Sequence, residues 1–285
     1  VRQAYERHAA RRSMLRILRP GSGTRLICFP NAGAGASIFR RWLPLVPGEM
    51  ELCSVQLPGR EDRWSEPCIL TLHEAAAMVA TELLEVSSRR TVLFGHSMGA
   101  ILAYEVACAI EMRSDGLSML VVSGHDAPHV PPPSQRCRHD APEEVFIADL
   151  RRLDGTPPEL LADPSFRITY LKTLRGDYAM LDRYRWSPRQ ALLVPILVYS
   201  GNMDREVSKE GLGAWDRLTS NVSAVCWFPG GHFYLFEQHW QQVIRTLVAD
   251  MDRLGNAHAR CVGRLTADSA GTARRGRASE GPPRP

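Results

Sequence analysis

Residues 91–100, TVLFGHSMGA, decide how the rest of the chain is read. An apolar run of strand type leads into Gly95-His96-Ser97-Met98-Gly99, and an apolar helical pattern continues from Ala100 towards Met112. This is G-x-S-x-G between a strand and a helix, the setting in which the motif carries chemistry. A serine on a sharp turn at a strand end projects its hydroxyl beyond the sheet. The flanking positions must be nearly bare so that backbones can approach, and Gly95 and Gly99 meet that condition. The following helix aims its N-terminus at the serine, which leaves the backbone N–H of Met98 free to hold an oxyanion.

Outward from this stretch, strands and helices alternate. Residues 25–29, RLICF, predict a short buried strand, followed by the loop 30–36, PNAGAGA, which carries almost no side chains. Such a loop lets backbone approach a ligand and turns N–H groups inward, and it lacks the Gly-Lys-Ser/Thr ending of a phosphate loop. Its best candidate for a second oxyanion donor is the N–H of Ala32. Residues 50–57 alternate as a strand and end in the charged turn 58–63, PGREDR. Leu72, Ala75, Ala76, Val79, Leu83 and Val86 recur at helical spacing, and 117–123 predicts a further strand. The expected fold is α/β, a mainly parallel sheet covered by helices on both faces.

The alternation breaks at Gly124. A Pro/His-rich connector runs to Pro133, and 143–186 shows helical periodicity with no strand. A helical insertion at this point, spanning about 134–190, would sit as a lid over the C-terminal edge of the sheet. Strands resume at 192–199 and 223–228, and a closing helix is expected from about 238 to 253.

Composition bounds the rest. A 285-residue chain with 44% apolar residues can bury a full core in one domain. We divide it into a flexible basic N-terminus (1–23), an α/β domain (24–255) and a disordered basic tail (256–285). The net charge of +4 comes from the two ends, each with six arginines, whereas the body between them is mildly acidic. Without interleaved aromatics or a recognised binding motif, the arms read as solvated and not as nucleic-acid contacts. No apolar run is long enough to span a membrane, and residues 1–20 lack an apolar leader core, so a cytoplasmic enzyme is expected. Seven scattered cysteines without a C-x-x-C pair read as small core residues in a reducing compartment.

A serine hydroxyl needs a base, and the base needs an orienting acid. In a sheet of this type the chain order is serine, acid, histidine. After the 192–199 strand, Ser200-Gly-Asn-Met-Asp204 places a carboxylate at the strand's C-terminal end. After the 223–228 strand, Pro229-Gly-Gly-His232 presents one imidazole on a flexible loop. Ser97, Asp204 and His232 are therefore the candidate catalytic set. His96 is expected to pack or meet solvent beside the elbow, and His239 and His258 to lie on the surface. His125, His129 and His139 match no zinc spacing, so no metal is expected. Asp177 and Asp182, in the insertion, read as solvated or ion-paired and are the next candidates for the acid.

The segments FPNAGAG, QLPGRE, GHSMGA and GGHFYL, in this order and spacing, resemble the type II thioesterases of polyketide and non-ribosomal peptide synthesis. The resemblance covers about residues 25–254. It implies a stand-alone α/β-hydrolase with a helical lid that removes aberrant or stalled acyl groups from the phosphopantetheine arm of acyl or peptidyl carrier proteins. It makes Ser97, Asp204 and His232 the triad, with Ala32 and Met98 as oxyanion donors. The partners it implies are carrier proteins, with no nucleic acid and no membrane. No cofactor is implied, the pantetheine arm being part of the substrate. The chain departs from the pattern at Asn31, where the family often has His. The residues alone leave open another serine hydrolase (a carboxylesterase or a fatty acyl-carrier thioesterase) and a non-catalytic binding fold. They also leave two readings of Arg151, Arg152, Arg167, Arg175, Arg183 and Arg185: a docking face for an acidic carrier, or a solvated surface paired with Glu143, Glu144 and Asp149.

Overall fold

A computed structural model describes residues 13–85, 89–113, 116–131 and 137–254. Seven strands form one sheet: β1 (Leu15–Arg19), β2 (Arg25–Phe29), β3 (Glu51–Val55), β4 (Thr91–His96), β5 (Leu117–Ser123), β6 (Ile196–Gly201) and β7 (Ser223–Phe228). Their spatial order is β1-β3-β2-β4-β5-β6-β7, with β1 antiparallel to β3 and the other neighbours parallel. β4, which ends at the elbow, lies at the centre.

The side chains of the central strands alternate between two cores, as a sheet covered on both faces requires. Ile27, Phe29, Leu93 and Val122 face α1 (Leu72–Glu85) and α2 (Met98–Glu111). Leu26, Cys28, Phe94 and Val121 face the short 3-10 segment Ala36–Trp42 and the closing helix α7, residues 240–254, through Val243, Ile244 and Leu247. The buried cysteines belong to these layers. Burial pushes the Cys28 thiol well up and the Cys53 thiol, with the Glu51 carboxylate adding, to about 12. Such thiols pack and do not react.

Between β5 and β6 the chain leaves the sheet for α3 (Glu143–Leu153), α4 (Pro158–Ala162) and α5 (Pro164–Arg183). Asp163 caps α5 by accepting from Ser165 N at 2.8 Å, with Pro164 opening the helix. The insertion has its own small core of Phe146, Ile147, Leu150, Leu161, Leu171, Leu174 and Tyr178. A short helix, α6 (Lys209–Gly213), lies between β6 and β7. Among the described residues no helix is long and apolar enough to cross a membrane.

Two expectations are corrected. The N-terminal stretch was expected to be frayed to Gly23, yet Leu15–Arg19 is an edge strand. Arg19 donates to the carbonyls of Leu43 at 3.1 Å and Val46 at 3.0 Å, and Met14 beside the strand is 1% exposed. Basic side chains on an edge strand hinder pairing with a second sheet. The strand expected at 192–199 begins only at Ile196, because Pro195 has no N–H to give to a ladder. Leu192 makes an isolated bridge to Thr219 instead. The expected disorder of residues 256–285 falls outside the described residues.

Candidate active site

The elbow is built by absent side chains. Ser97 sits at φ 54°, ψ −122°, a conformation that non-glycine residues rarely adopt. A Cβ on Gly95 would lie 2.0 Å from the carbonyl oxygen of Gly99, and one on Gly99 would lie 2.1 Å from that of Phe29. Glycine at both positions lets α2 start directly against β2 and β4. The Ser97 N–H donates to Ser123 O at 2.7 Å, tying the turn to the end of β5.

The acid and the base come from two loops that hold each other. Past β6, Asn202 N donates to Phe228 O at 2.8 Å and Met203 N to Gly230 O at 3.0 Å. Past β7, Gly230 adopts φ +128°, and its N–H donates to Asn202 Oδ1 at 3.2 Å. The two turns thereby carry Asp204 and His232 to the sheet edge that bears Ser97. His232 Nδ1–H donates to Asp204 Oδ2 at 2.9 Å, and the Ser97 hydroxyl donates to His232 Nε2 at 3.1 Å. The Asp204 side chain is fully buried and that of His232 is 9% exposed. Asp204 Oδ1 also accepts from Glu206 N at 2.9 Å, so the carboxylate is held at both oxygens. This arrangement can take a proton from the serine and return it to a leaving group, with the imidazole held in one tautomer by the carboxylate.

The two expected oxyanion donors lie on separate elements. Met98 is the first residue of α2, where an N–H has no acceptor within the helix. In the 31–36 loop, Gly33 N donates to Asp177 Oδ2, Ala34 N to Asn31 O and Ala36 N to Gln56 Oε1. Neither Ala32 N nor Met98 N donates to an acceptor among the described residues.

His96 takes the packed one of its two expected placements, Asp177 is ion-paired, and Phe233 was not singled out in the sequence. His96 is fully buried, its ring centroid 5.0 Å from that of His232, with Nδ1 2.9 Å from Ser123 Oγ. Phe233 stands edge-on to His232 and fills the space over Gly155, where a Cβ would meet the Phe233 ring at 2.1 Å. Asp177, an alternative acid in the sequence reading, is fully buried and paired with Arg60, far along the chain from His232. Asp182 lies 2.7 Å from His139 Nδ1, so it too is engaged elsewhere. Of the six arginines named above, five have local partners. Arg152 pairs with Asp149 and Glu206, and Arg167 lies 3.9 Å from Glu143. Arg175 donates to the carbonyls of His139 and Ala141 and lies over the Phe146 ring. Arg183 and Arg185 donate to carbonyls within or beside the insertion.

Comparison with known proteins places the fold in a family. A family model, the thioesterase domain, matches residues 24–251. The gramicidin S biosynthesis protein GrsT of Aneurinibacillus migulanus is 37% identical over 220 residues, covering 77% of this chain and 86% of that one. Thioesterase PikA5 of Streptomyces venezuelae is 36% identical over 229 residues, covering 79% of each chain. Among solved structures, the type II thioesterase BorB from the borrelidin biosynthetic cluster superposes with a TM-score of 0.74 at 32% identity, covering 84% of this chain and 98% of that chain.

Proposed function

The chain belongs to the thioesterase family, and from that premise we propose that it is a type II thioesterase that clears aberrant or stalled acyl groups from the phosphopantetheine arms of acyl or peptidyl carrier proteins in polyketide or non-ribosomal peptide synthesis. The observation that carries the reading is the unbroken hydrogen-bonded line Ser97–His232–Asp204 at the C-terminal edge of the sheet. A cytoplasmic, reducing setting belongs to the same proposal, supported by six described cysteines that are all free thiols.

The reaction runs in two halves. The Ser97 hydroxyl gives its proton to His232 Nε2 as its oxygen bonds to the thioester carbon. The carbonyl oxygen becomes an oxyanion between the N–H groups of Ala32 and Met98. When the carbon–sulfur bond breaks, the departing sulfur takes the proton from His232 and leaves as a thiol, and Ser97 is left acylated. A water molecule then gives its proton to His232 and attacks the acyl carbon. Collapse of the second tetrahedral species breaks the bond to Ser97 Oγ, which recovers its proton, and the free acid departs. Asp204 holds the tautomer and steadies the imidazolium. These steps need no cofactor or metal.

The test is a hydrolysis panel on carrier proteins bearing short, medium and branched acyl groups, run beside matched oxygen esters. Thioesters should be turned over faster, and Ser97→Ala should lower kcat by about 10⁶ with folding unchanged. Asp204→Asn should cost up to about 10⁴ through the wrong tautomer. Activity of Ser97→Ala within tenfold of wild type, or a clear preference for oxygen esters, would overturn the assignment.

A further inference from the structure

We propose that the buried Arg60–Asp177 pair is a positioning device that holds the 31–36 loop in its oxyanion-binding shape only while helix α5 is seated on it. The inference rests on the thioesterase reading, and on Ala32 as a donor, and adds to it a link between the insertion and the chemistry.

The two side chains come from parts of the chain that the fold need not couple. Arg60 lies in the turn after β3, and Asp177 lies on α5, 117 residues later. The contact is bidentate, with Arg60 Nη1 donating to Asp177 Oδ2 at 2.7 Å and Nη2 to Oδ1 at 2.6 Å. Arg60 is 6% exposed and Asp177 is fully buried. Burial works to lower the Arg60 pKa, but the Asp177 carboxylate more than offsets it and the net shift is upward. A buried pair of this kind is seldom retained for stability alone, because apolar residues of similar volume usually serve as well.

Its position relative to the loop supplies the reason. Asp177 Oδ2 also accepts from Gly33 N at 2.7 Å, and Arg60 Nη1 also donates to Ala34 O at 3.1 Å. The pair thus grips the loop by one donor and one acceptor on consecutive residues, directly after Ala32. Gly33 adopts φ +78°, so the peptide plane at this point depends on a conformation that glycine alone adopts readily. Gln56 completes the frame, accepting from Ala36 N at 2.6 Å and donating to Arg60 O at 3.0 Å. The Gly33 N–H is engaged by the carboxylate, while the Ala32 N–H donates to no acceptor among the described residues. If α5 lifts to admit an acyl arm, Asp177 leaves with it and the loop loses its grip. The oxyanion site is therefore assembled only in the closed state.

A nearby bond provides the control. Thr173 Oγ1, one turn before Asp177 on α5, donates to Gly59 O at 2.7 Å. It fastens the same helix to the same turn without touching the 31–36 loop.

The experiment compares Asp177→Asn, Arg60→Lys and Thr173→Val with wild type in three measurements. One is kcat on an acyl-pantetheine thioester. The second is affinity for an alkyl boronic acid, which Ser97 Oγ attacks to give a tetrahedral adduct with an oxygen in the oxyanion position. The third is affinity for a hydrolysis-resistant thioether analogue, which presents no oxyanion. Asp177→Asn and Arg60→Lys should lower kcat and boronate affinity together by about 10–100-fold, since misplacing or losing one oxyanion donor costs on that scale. Their thioether affinity should stay within twofold. Thr173→Val should lower the melting temperature yet leave kcat and boronate affinity within twofold. If Asp177→Asn is not recovered folded, Arg60→Lys carries the same comparison with the charge retained. Equal loss of boronate and thioether affinity would overturn the inference, as would variants of the pair that behave like Thr173→Val. Wild-type protein that neither binds boronate nor hydrolyses thioesters would overturn the proposed function itself, a result distinct from either.

Discussion

His96 illustrates how much a single position beside the nucleophile carries. Its Nδ1 bonds to Ser123 Oγ, which lies 2.7 Å from Tyr234 OH, and its Nε2 has no partner among the described residues. Burial, reinforced by the His232 imidazole beside it and less by His125, holds His96 well below the ordinary imidazole range despite the bond at Ser123. The folded protein therefore keeps His96 neutral, while the unfolded chain protonates it below about pH 6.5. Protons taken up only by the unfolded state favour unfolding, so stability falls as the pH drops through that value and on towards the folded pKa. For one such group the slope is about 1.4 kcal/mol per pH unit. His96→Asn keeps an amide near Ser123 and removes the titration. Denaturant unfolding from pH 8 to pH 5 should show wild type losing about 2 kcal/mol more than the variant over that span. Parallel losses would show that His96 does not titrate on unfolding. The sequence left open whether this residue packs or meets solvent, because the position before the serine in G-x-S-x-G is unconstrained by type. Ser97, Asp204 and His232 were legible because each follows a strand end through a turn of small or polar residues. Ser123 lies 27 residues from His96 in sequence, and Tyr234 a further 111 residues beyond Ser123, so only the fold unites them.

At the scale of elements, the start of α2 sets helix propensity against packing. Replacing Gly99 with alanine would favour a helix by about 1 kcal/mol if propensity alone acted. The added Cβ would instead meet Phe29 O at 2.1 Å and Pro30 O at 2.6 Å, both of them backbone atoms that cannot swing aside. Forcing α2 away from β2 should cost about 1–3 kcal/mol net of the propensity gain. It should also lower kcat, because Met98 adjoins Gly99 and Ala32 follows Pro30, so the two segments that meet there carry the two expected oxyanion donors. A melting temperature equal to or above that of wild type for Gly99→Ala would show that the strand shifts to make room. The same contrast between local pattern and packing explains which elements could be read in advance. β4, β5 and α1 announced themselves by unbroken apolar runs or helical spacing, because their burial is decided by their own sequence. β1 did not, since Leu15 and Ile17 alternate weakly among arginines and the strand is mostly half-exposed. On α5 the helical period was plain, but an aspartate on it reads equally as a solvated or an ion-paired charge. Its burial requires Arg60 to arrive from the turn after β3.

For the whole molecule, the question is whether charge on the insertion recruits an acidic carrier. The structure assigns local partners to Arg152, Arg167, Arg175, Arg183 and Arg185, but a bond to a carbonyl fixes a guanidinium without neutralising it. The balance of charge therefore decides. Residues 134–190 hold ten Arg and Lys against nine Asp and Glu, so the insertion is close to neutral, and the body around it is mildly acidic. A near-neutral element on an acidic body gives little long-range attraction for an acidic partner, whatever its arginines do at contact distance. Steered association falls steeply as salt shortens the Debye length from about 30 Å at 0.01 M to about 10 Å at 0.1 M. For this protein, kcat/KM on an acyl-carrier substrate and on a small acyl-pantetheine thioester should respond alike to salt between those concentrations, within about twofold. A fall of tenfold or more confined to the carrier-bound substrate would show instead that the arginines form a basic face despite the near-neutral total. Arg151→Glu and Arg183→Glu would then locate it, because a reversed charge on a docking face slows association while leaving turnover of the small thioester unchanged.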